Sequence, residues 1–274
     1  MTLNNNCLIC KSPSQIYYSK KFQGEYNLNQ VDYWQCNHCG FVFSKTHYDM
    51  AIEEWEELNM NYHSCHQGKD ECSDDPRWVE RLQAQAAVIT FLAKQGVLPK
   101  ALPWVDWGCG DGKLTHLLER HQLFTLKYDR YMRYENDYLT DVDIQDAKYS
   151  VVFNTSIFEH IRNRPTLNSI NNLVSEDGVL AIHTLVTEVI PQDPRWFYLL
   201  PVHCSFFTNK SMQILFEDWG YEVSIYHLPS RMWFWFKKRG DVVKILFDSG
   251  HLNSENGFYF KEGFMNYWGC HNFT

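Results

Sequence analysis

The sequence has no basic run longer than Lys237-Lys238-Arg239, no internal repeat and no low-complexity tract. It also lacks any apolar stretch of the roughly 18 residues that a membrane-spanning helix needs. These absences exclude whole classes of function. Affinity for nucleic acid rests largely on phosphates neutralised by Lys and Arg. A chain with 33 acidic against 25 basic residues, a formal net charge of −8 and no basic stripe argues against nucleic acid as a partner. The first residues, Met1-Thr2-Leu3-Asn4-Asn5-Asn6, lack the positive region and apolar run of a signal peptide. The expectation is a cytoplasmic protein with no membrane partner, whose cysteines stay reduced. In that setting, paired cysteines favour metal over disulfide.

The 274 residues suffice for one large domain with a small satellite. Residues 1–45 are rich in cysteine and turn formers, which suggests a zinc-binding module. Residues 46–100 read as a helical cap or linker. A first helix is expected over 50–58, a polar loop over 64–75, and a second helix with Asp75 as N-cap and Pro76 at its first position. Val79, Leu82, Ala86, Ile89 and Ala93 follow helical spacing there. Over 101–240, short apolar runs alternate with helical segments. Strands are expected at 101–107, 124–128, 150–154, 178–184, 221–226 and 232–237. Helices are expected at 113–121, 163–174 and 209–219. Such alternation predicts an α/β fold with a mainly parallel sheet covered on both faces. The last two strands, joined by a turn near Pro229-Ser230, predict an antiparallel edge. Residues 241–274 form an extension rich in Gly, Asn and aromatics that the pattern does not place. The aromatic content of 16%, weighted to the later chain, fits packing better than a pocket lining.

Two motifs carry chemistry. The first is Val105-Asp106-Trp107-Gly108-Cys109-Gly110-Asp111-Gly112-Lys113-Leu114, an apolar strand running through three alternating glycines into a helix. Glycine permits a tight turn and a close approach of ligand to backbone, with free N–H groups expected at the helix start. About 20 residues past the first glycine, the run 124–129 ends in Asp129, the spacing at which a carboxylate meets ribose hydroxyls. The second motif is a pair of Cys-x-x-Cys knuckles, Cys7-Leu8-Ile9-Cys10 and Cys36-Asn37-His38-Cys39, followed by Gly40. Four thiolates, Cys7, Cys10, Cys36 and Cys39, complete a closed tetrahedral site, so the expected zinc is structural. Cys65, Cys72, Cys204 and Cys270 show no pairing pattern.

The glycine motif resembles motif I of class I S-adenosylmethionine-dependent methyltransferases, an acidic residue followed by Gly-x-Gly-x-Gly. The segment 149–161, with Glu159-His160, looks like that family's fourth strand and following turn, with Ser150 where the family usually has Asp. The resemblance implies a Rossmann-like core binding S-adenosylmethionine through Asp106, Gly108, Cys109, Gly110, Gly112 and Asp129. Asp106 would hold the methionine portion. The tip of the fourth strand, Asn154-Thr155-Ser156, is expected to face cofactor and substrate, and Asp141-Val142 or its neighbourhood the adenine. With an N-terminal zinc module, the chain is similar to bacterial methyltransferases acting on sugars or secondary metabolites. In the sugar C-methyltransferases of this arrangement a large C-terminal domain follows. This sequence ends before one, so a hydroxyl or amine acceptor is expected, on a sugar, nucleotide-sugar or other small molecule.

A hydroxyl nucleophile gains from a base, and histidine is the usual choice. His203, in a segment expected to overhang the site, ranks first, followed by His160 and Glu159. His183 is a further candidate, and Tyr62, His63 and Trp78 are candidate lid residues. Two alternatives remain: an RNA methyltransferase with a zinc module, and a non-enzymatic adaptor that binds zinc and cofactor.

Overall fold

The computed structural model describes residues 6–66, 76–132 and 137–267. The expected N-cap Asp75, together with Cys72 and Cys270, lies outside the described residues, as does the side chain of Cys65. The chain opens with strands β1 (Ser14–Lys21), β2 (Gln30–Cys36) and β3 (Val42–Ser44) and helices α1 (Lys45–Asp49), α2 (Ile52–His66) and α3 (Pro76–Lys94). There follow β4 (Trp104–Trp107), α4 (Lys113–Glu119), β5 (Thr125–Tyr128), α5 (Asp141–Ile144), β6 (Tyr149–Thr155), α6 (Arg164–Leu173) and β7 (Val174–His183). The remainder holds β8 (Val186–Thr187), β9 (Ser205–Thr208), α7 (Asn209–Asp218), β10 (Val223–His227), β11 (Met232–Phe236), α8 (Gly240–Asp248) and β12 (Phe258–Glu262).

Seven strands form the main sheet in the order β12-β10-β11-β7-β6-β4-β5. β5, β4, β6 and β7 run parallel, whereas β11 pairs antiparallel with both β7 and β10. β6 is buried along nearly its whole length, as a parallel strand covered on both faces must be. Alternate residues feed two cores. Val152, Leu180, Ile182, Trp233 and Trp235 pack with α6 and α7 residues such as Leu167, Ile170 and Leu215. Val151, Phe153, Ala181, Phe234 and Phe236 pack with α3, α4 and α8 residues such as Ile89, Leu118 and Val243. The fold is thus a Rossmann-like α/β core of the class I methyltransferase type. The antiparallel hairpin stands beside β7, as expected from its pattern. β12 lies outside it, pairing with β10; this is the strand the sequence did not place.

A second sheet has the order β1-β2-β3-β9-β8. β9 arrives from far along the chain and pairs antiparallel with β3, setting Phe206 opposite Val42. The small N-terminal zinc-ribbon-like module therefore shares its sheet with the segment that leads into α7. Tyr33, Val42, Phe206, Val202 and Leu199 form a third core with Trp55 and Leu58 of α2. That aromatic-rich packing ties α2 to the second sheet. α2 also runs further than its expected end at residue 58, bringing His63 above the carboxyl ends of the parallel strands.

Candidate active site

A cavity of about 660 Å³ opens at the carboxyl ends of β4, β5 and β6, where ligands of α/β sheets bind. Its floor is the turn after β4. Gly108, Gly110 and Gly112 all have positive φ, at 79°, 57° and 73°. A Cβ on Gly108 would meet Ile157 Cδ1 at 2.4 Å, and one on Gly112 would meet Lys127 Cδ at 2.9 Å. Both conformation and space therefore require glycine at these two positions.

Four amides of the turn are engaged within the protein. Gly108 and Cys109 N–H donate to the Tyr128 carbonyl at 2.7 and 3.1 Å, and Gly112 N–H donates to the Cys109 carbonyl at 2.9 Å. Gly110 N–H donates to Asp129 Oδ2 at 2.9 Å. Hydrogen bonding inside the protein locks the bend.

Asp106 is almost fully buried at the end of β4 and lines the cavity. Thr115 Oγ1 donates to its Oδ2 at 3.4 Å, while Oδ1 is buried without a hydrogen-bond partner. Burial first, with Asp129 and Asp111 nearby, pushes its carboxyl up to about 7. An orphaned carboxylate oxygen facing a cavity is a costly arrangement without a donor. It fits a ligand that brings an ammonium group.

Asp129 also lines the cavity. Its Oδ1 accepts from Tyr131 and Met132 N–H, both at 2.8 Å. With the Gly110 contact, it fastens the ends of β4 and β5 together. Cys109 lines the cavity too, its thiol pushed up by burial and by Asp106.

Two expected cofactor contacts lie elsewhere. Asn154 is fully buried beneath the turn, its Nδ2 3.4 Å from the Trp107 carbonyl, and it does not line the cavity. Strand alternation turns it away, while Thr155 and Ser156 of the same strand tip line the cavity. Ser156 does so in the left-handed region at φ 59°, a conformation that non-glycine residues adopt at a cost and often at sites. Asp141 also stands off the wall, accepting from the Tyr128 hydroxyl at 3.0 Å. On that side the wall is Ile144, Gln145, Asp146 and Ala147.

The base candidates converge, in an order different from the one expected. His160 lines the cavity. His203 does not: the segment before β9 packs down, so His203 lies behind His160, with ring centroids 4.7 Å apart. His203 Nδ1 faces the Tyr198 carbonyl at 2.8 Å. Glu159 is buried, accepting from Tyr198 OH at 2.7 Å and Thr184 Oγ1 at 2.9 Å. Burial holds both histidines below their usual range, His160 well below. His183 is turned away to the Arg231 carbonyl at 2.9 Å and is held down at about 3 by burial.

The roof comes from α2 and α3. Trp55, Asn59 and His63 line the cavity from α2, and Trp78, Arg81 and Gln85 from α3. Trp55, Asn59, Arg81 and Gln85 were not anticipated. Their signal was there in the polar Arg81 and Gln85 four apart, flanking the apolar stripe of a helix. Tyr62 stays off the wall and packs on Tyr26.

Off the cavity wall, the four expected cysteines meet. Sγ–Sγ distances are 3.6 Å for Cys7–Cys39, 3.4 Å for Cys10–Cys36 and 3.6 Å for Cys10–Cys39. A disulfide needs about 2.05 Å. Four sulfurs around zinc, each bonded at about 2.3 Å, stand about 3.8 Å apart, close to these values. Ile9 N–H donates to Cys7 Sγ, and His38 and Cys39 N–H donate to Cys36 Sγ, which favours thiolates. The donor set fits a structural zinc ion.

A family profile described as a methyltransferase domain matches residues 78–224, just over half of the chain. This chain belongs to the methyltransferase-domain family. The matched segment of the methyltransferase runs from the cavity-facing turn of α3 through the glycine turn and Glu159-His160 into β10. Among solved structures it is similar to an O-methyltransferase family protein from Burkholderia thailandensis, with 14% identity and a TM-score of 0.45. That match covers 65% of this chain and 63% of the other, less than two thirds of the relative's length. It is also similar to the 1,6-didemethyltoxoflavin-N1-methyltransferase of the same organism, solved with 1,6-didemethyltoxoflavin and S-adenosylhomocysteine. There the identity is 15%, the TM-score 0.47 and the coverage 68% and 89%. A third is the plantazolicin methyltransferase in complex with a desmethyl analogue and S-adenosylhomocysteine, with 14% identity, a TM-score of 0.46 and coverage of 68% and 98%. No curated protein matches the chain.

Proposed function

We propose that the protein transfers a methyl group from S-adenosylmethionine to a hydroxyl or amine of a small-molecule acceptor, such as a sugar, nucleotide-sugar or secondary metabolite. One observation carries this reading. The unpartnered Asp106 oxygen and the glycine turn share one cavity with the His160 side chain and a polar, aromatic roof. S-adenosylmethionine supplies an electrophilic methyl on a sulfonium. Asp106 receives the amino group of its methionine portion and Asp129 the ribose hydroxyls. Gly108, Cys109, Gly110 and Gly112 shape the floor, and Gln145, Asp146 and Ala147 form the wall for the base, with Asp141 orienting Tyr128 behind it. His160 faces the acceptor, with Glu159 and His203 behind it. A neutral imidazole there can take a proton from a hydroxyl. Trp55, Asn59, His63 and Gln85 wall off the acceptor from water.

The 1–45 module, the 46–100 cap, the 101–240 core and the 241–274 extension then have distinct tasks. The module carries a structural zinc on Cys7, Cys10, Cys36 and Cys39. The cap roofs the cavity, the core holds the donor, and the extension completes the sheet. No described helix is long and apolar enough to cross a membrane.

Calorimetry with S-adenosylmethionine and S-adenosylhomocysteine tests the donor site. One equivalent of each should bind, and failure of both to bind would overturn the reading. Assays with a radiolabelled methyl donor, offered sugars, amines and structured RNA, test the acceptor class. Label entering RNA but no small molecule would replace it with the nucleic-acid reading.

A further inference from the structure

Glu159, His160 and His203 offer one carboxylate oxygen and two imidazole nitrogens, all within 4.8 Å of one another. We propose that these three side chains bind a divalent first-row transition metal ion directly behind the cavity wall at His160, separate from the four-cysteine site. The proposal rests on the methyl-transfer reading for its purpose, but not for the ion itself.

Two of the donors are oriented by hydrogen bonds and the third is left unmatched. His203 Nδ1 faces the Tyr198 carbonyl. It must therefore carry the proton, leaving Nε2 as a lone pair, which is the usual second-sphere device for a metal-bound imidazole. His160 Nδ1 is buried with no hydrogen-bond partner, an orphan that an ion would satisfy. Glu159 is a buried carboxylate held by two hydroxyls rather than by a cation. Buried charges are as a rule paired or bound to metal. Tyr198 serves two of the ligands at once, its hydroxyl on Glu159 and its carbonyl on His203. One residue thus fixes the orientation of both.

Two imidazoles and one carboxylate suit zinc, manganese, iron or cobalt and leave coordination positions open. Bonds of about 2.0–2.2 Å call for the three groups to draw in slightly around an ion. His160 lines the cavity, and His63, 5.1 Å from it between ring centroids, lines it too. Glu159 and His203 are buried behind His160 and do not line the cavity, so an ion held by all three sits beneath the wall and fixes the His160 ring at the acceptor side.

The test uses the full chain stripped of metal and titrated with Co2+, followed by absorption spectroscopy and metal analysis. Two equivalents are expected. One shows the intense near-ultraviolet sulfur-to-cobalt bands of a thiolate site, and the other shows only weak visible bands of nitrogen and oxygen ligation. Glu159→Gln and His203→Ala should lose the second equivalent, or weaken it at least tenfold, and keep the first. Cys36→Ser should lose the first and keep the second. A wild-type chain that saturates with the thiolate-bound ion alone overturns the proposal, whatever the variants do. Calorimetry with S-adenosylhomocysteine on the same samples separates the two readings. Donor binding without a second metal sinks this inference only, and a second metal without donor binding sinks the donor site only.

Discussion

Asp106 faces opposed demands. Ligand-free, its charge is buried and its pKa is raised to about 7. With an ammonium group bound, the charge is wanted. The sign follows by linkage: a carboxyl with a raised folded-state pKa adds stability in its protonated form, and that stability is lost as pH rises through about 7. Donor affinity runs the other way, increasing with pH up to and through that value as the carboxylate forms. Calorimetry of S-adenosylhomocysteine from pH 5.5 to 8.5 should show affinity falling on the acid side, by at most about tenfold per pH unit for a single proton. Asp106→Asn should bind weakly at every pH, with that dependence flattened, and should melt higher than wild type at pH 8 without ligand. An unchanged pH profile in the variant would remove Asp106 from the donor site. At Gly108 the constraint is steric. An alanine there meets Ile157 and must hold φ 79°, a conformation costing roughly 1–2 kcal/mol for a residue with a Cβ. Gly108→Ala should reduce donor affinity more than tenfold in the same titration. Trimming the contact with Ile157→Ala should restore only part of it, because the backbone cost stays.

At the level of elements, the chemistry-bearing strands were legible and the closing ones were not. β4, β5, β6 and β7 are short apolar runs with helices between them, and the glycine turn marks where the first ends. The cysteine knuckles were legible because two Cys-x-x-Cys pairs are a local spacing pattern, and the fold brings their four sulfurs together. β12 was not, since Phe258-Tyr259-Phe260-Lys261-Glu262 sits among Asn, Gly and Ser that read as loop, and its partner β10 is set by tertiary pairing. β9 was missed as a partner of β3 for the same reason: nothing local in 205–208 says that it joins a sheet formed more than 150 residues earlier. The C-terminal extension is testable. Leu252, Phe258 and Phe264 are buried, and Phe264 packs on Trp233 and Trp235. A chain ending at residue 240 should expose both tryptophans and the β10 edge, and should be recovered mainly as aggregate or bind a hydrophobic dye strongly. A soluble truncated chain with wild-type melting would show that β12 adds nothing to the sheet.

Across the whole molecule, the site is assembled from parts whose roles are not local. Of the expected donor contacts, the turn, Asp106 and Asp129 reach the cavity because strand ends and positive-φ glycines are written in the chain. Asn154 does not, because which side of a strand tip faces the ligand depends on register, and Asp141 does not, because at the start of α5 it accepts from the Tyr128 hydroxyl. The base candidates gathered at one place, but packing of the 198–204 segment put His160, not His203, on the wall. The roof could be read least, since a helical stripe looks alike whether it covers a core or a ligand. Gln85 shows the difference. It is fully buried against the cavity, and both its amide nitrogen and its amide oxygen lack partners. Leaving such groups unsatisfied costs about 1–3 kcal/mol each, which a core position would not sustain without a ligand to meet them. Gln85→Met keeps the volume and removes both orphans. The ligand-free variant should melt several degrees higher, at about 2–4 °C per kcal/mol for a chain of this size. It should also lose affinity for whichever ligand the amide contacts. A raised acceptor KM with an unchanged donor Kd would place Gln85 over the acceptor, and the converse would place it over the donor. A variant with wild-type melting and wild-type kinetics would return the α3 stripe to packing alone.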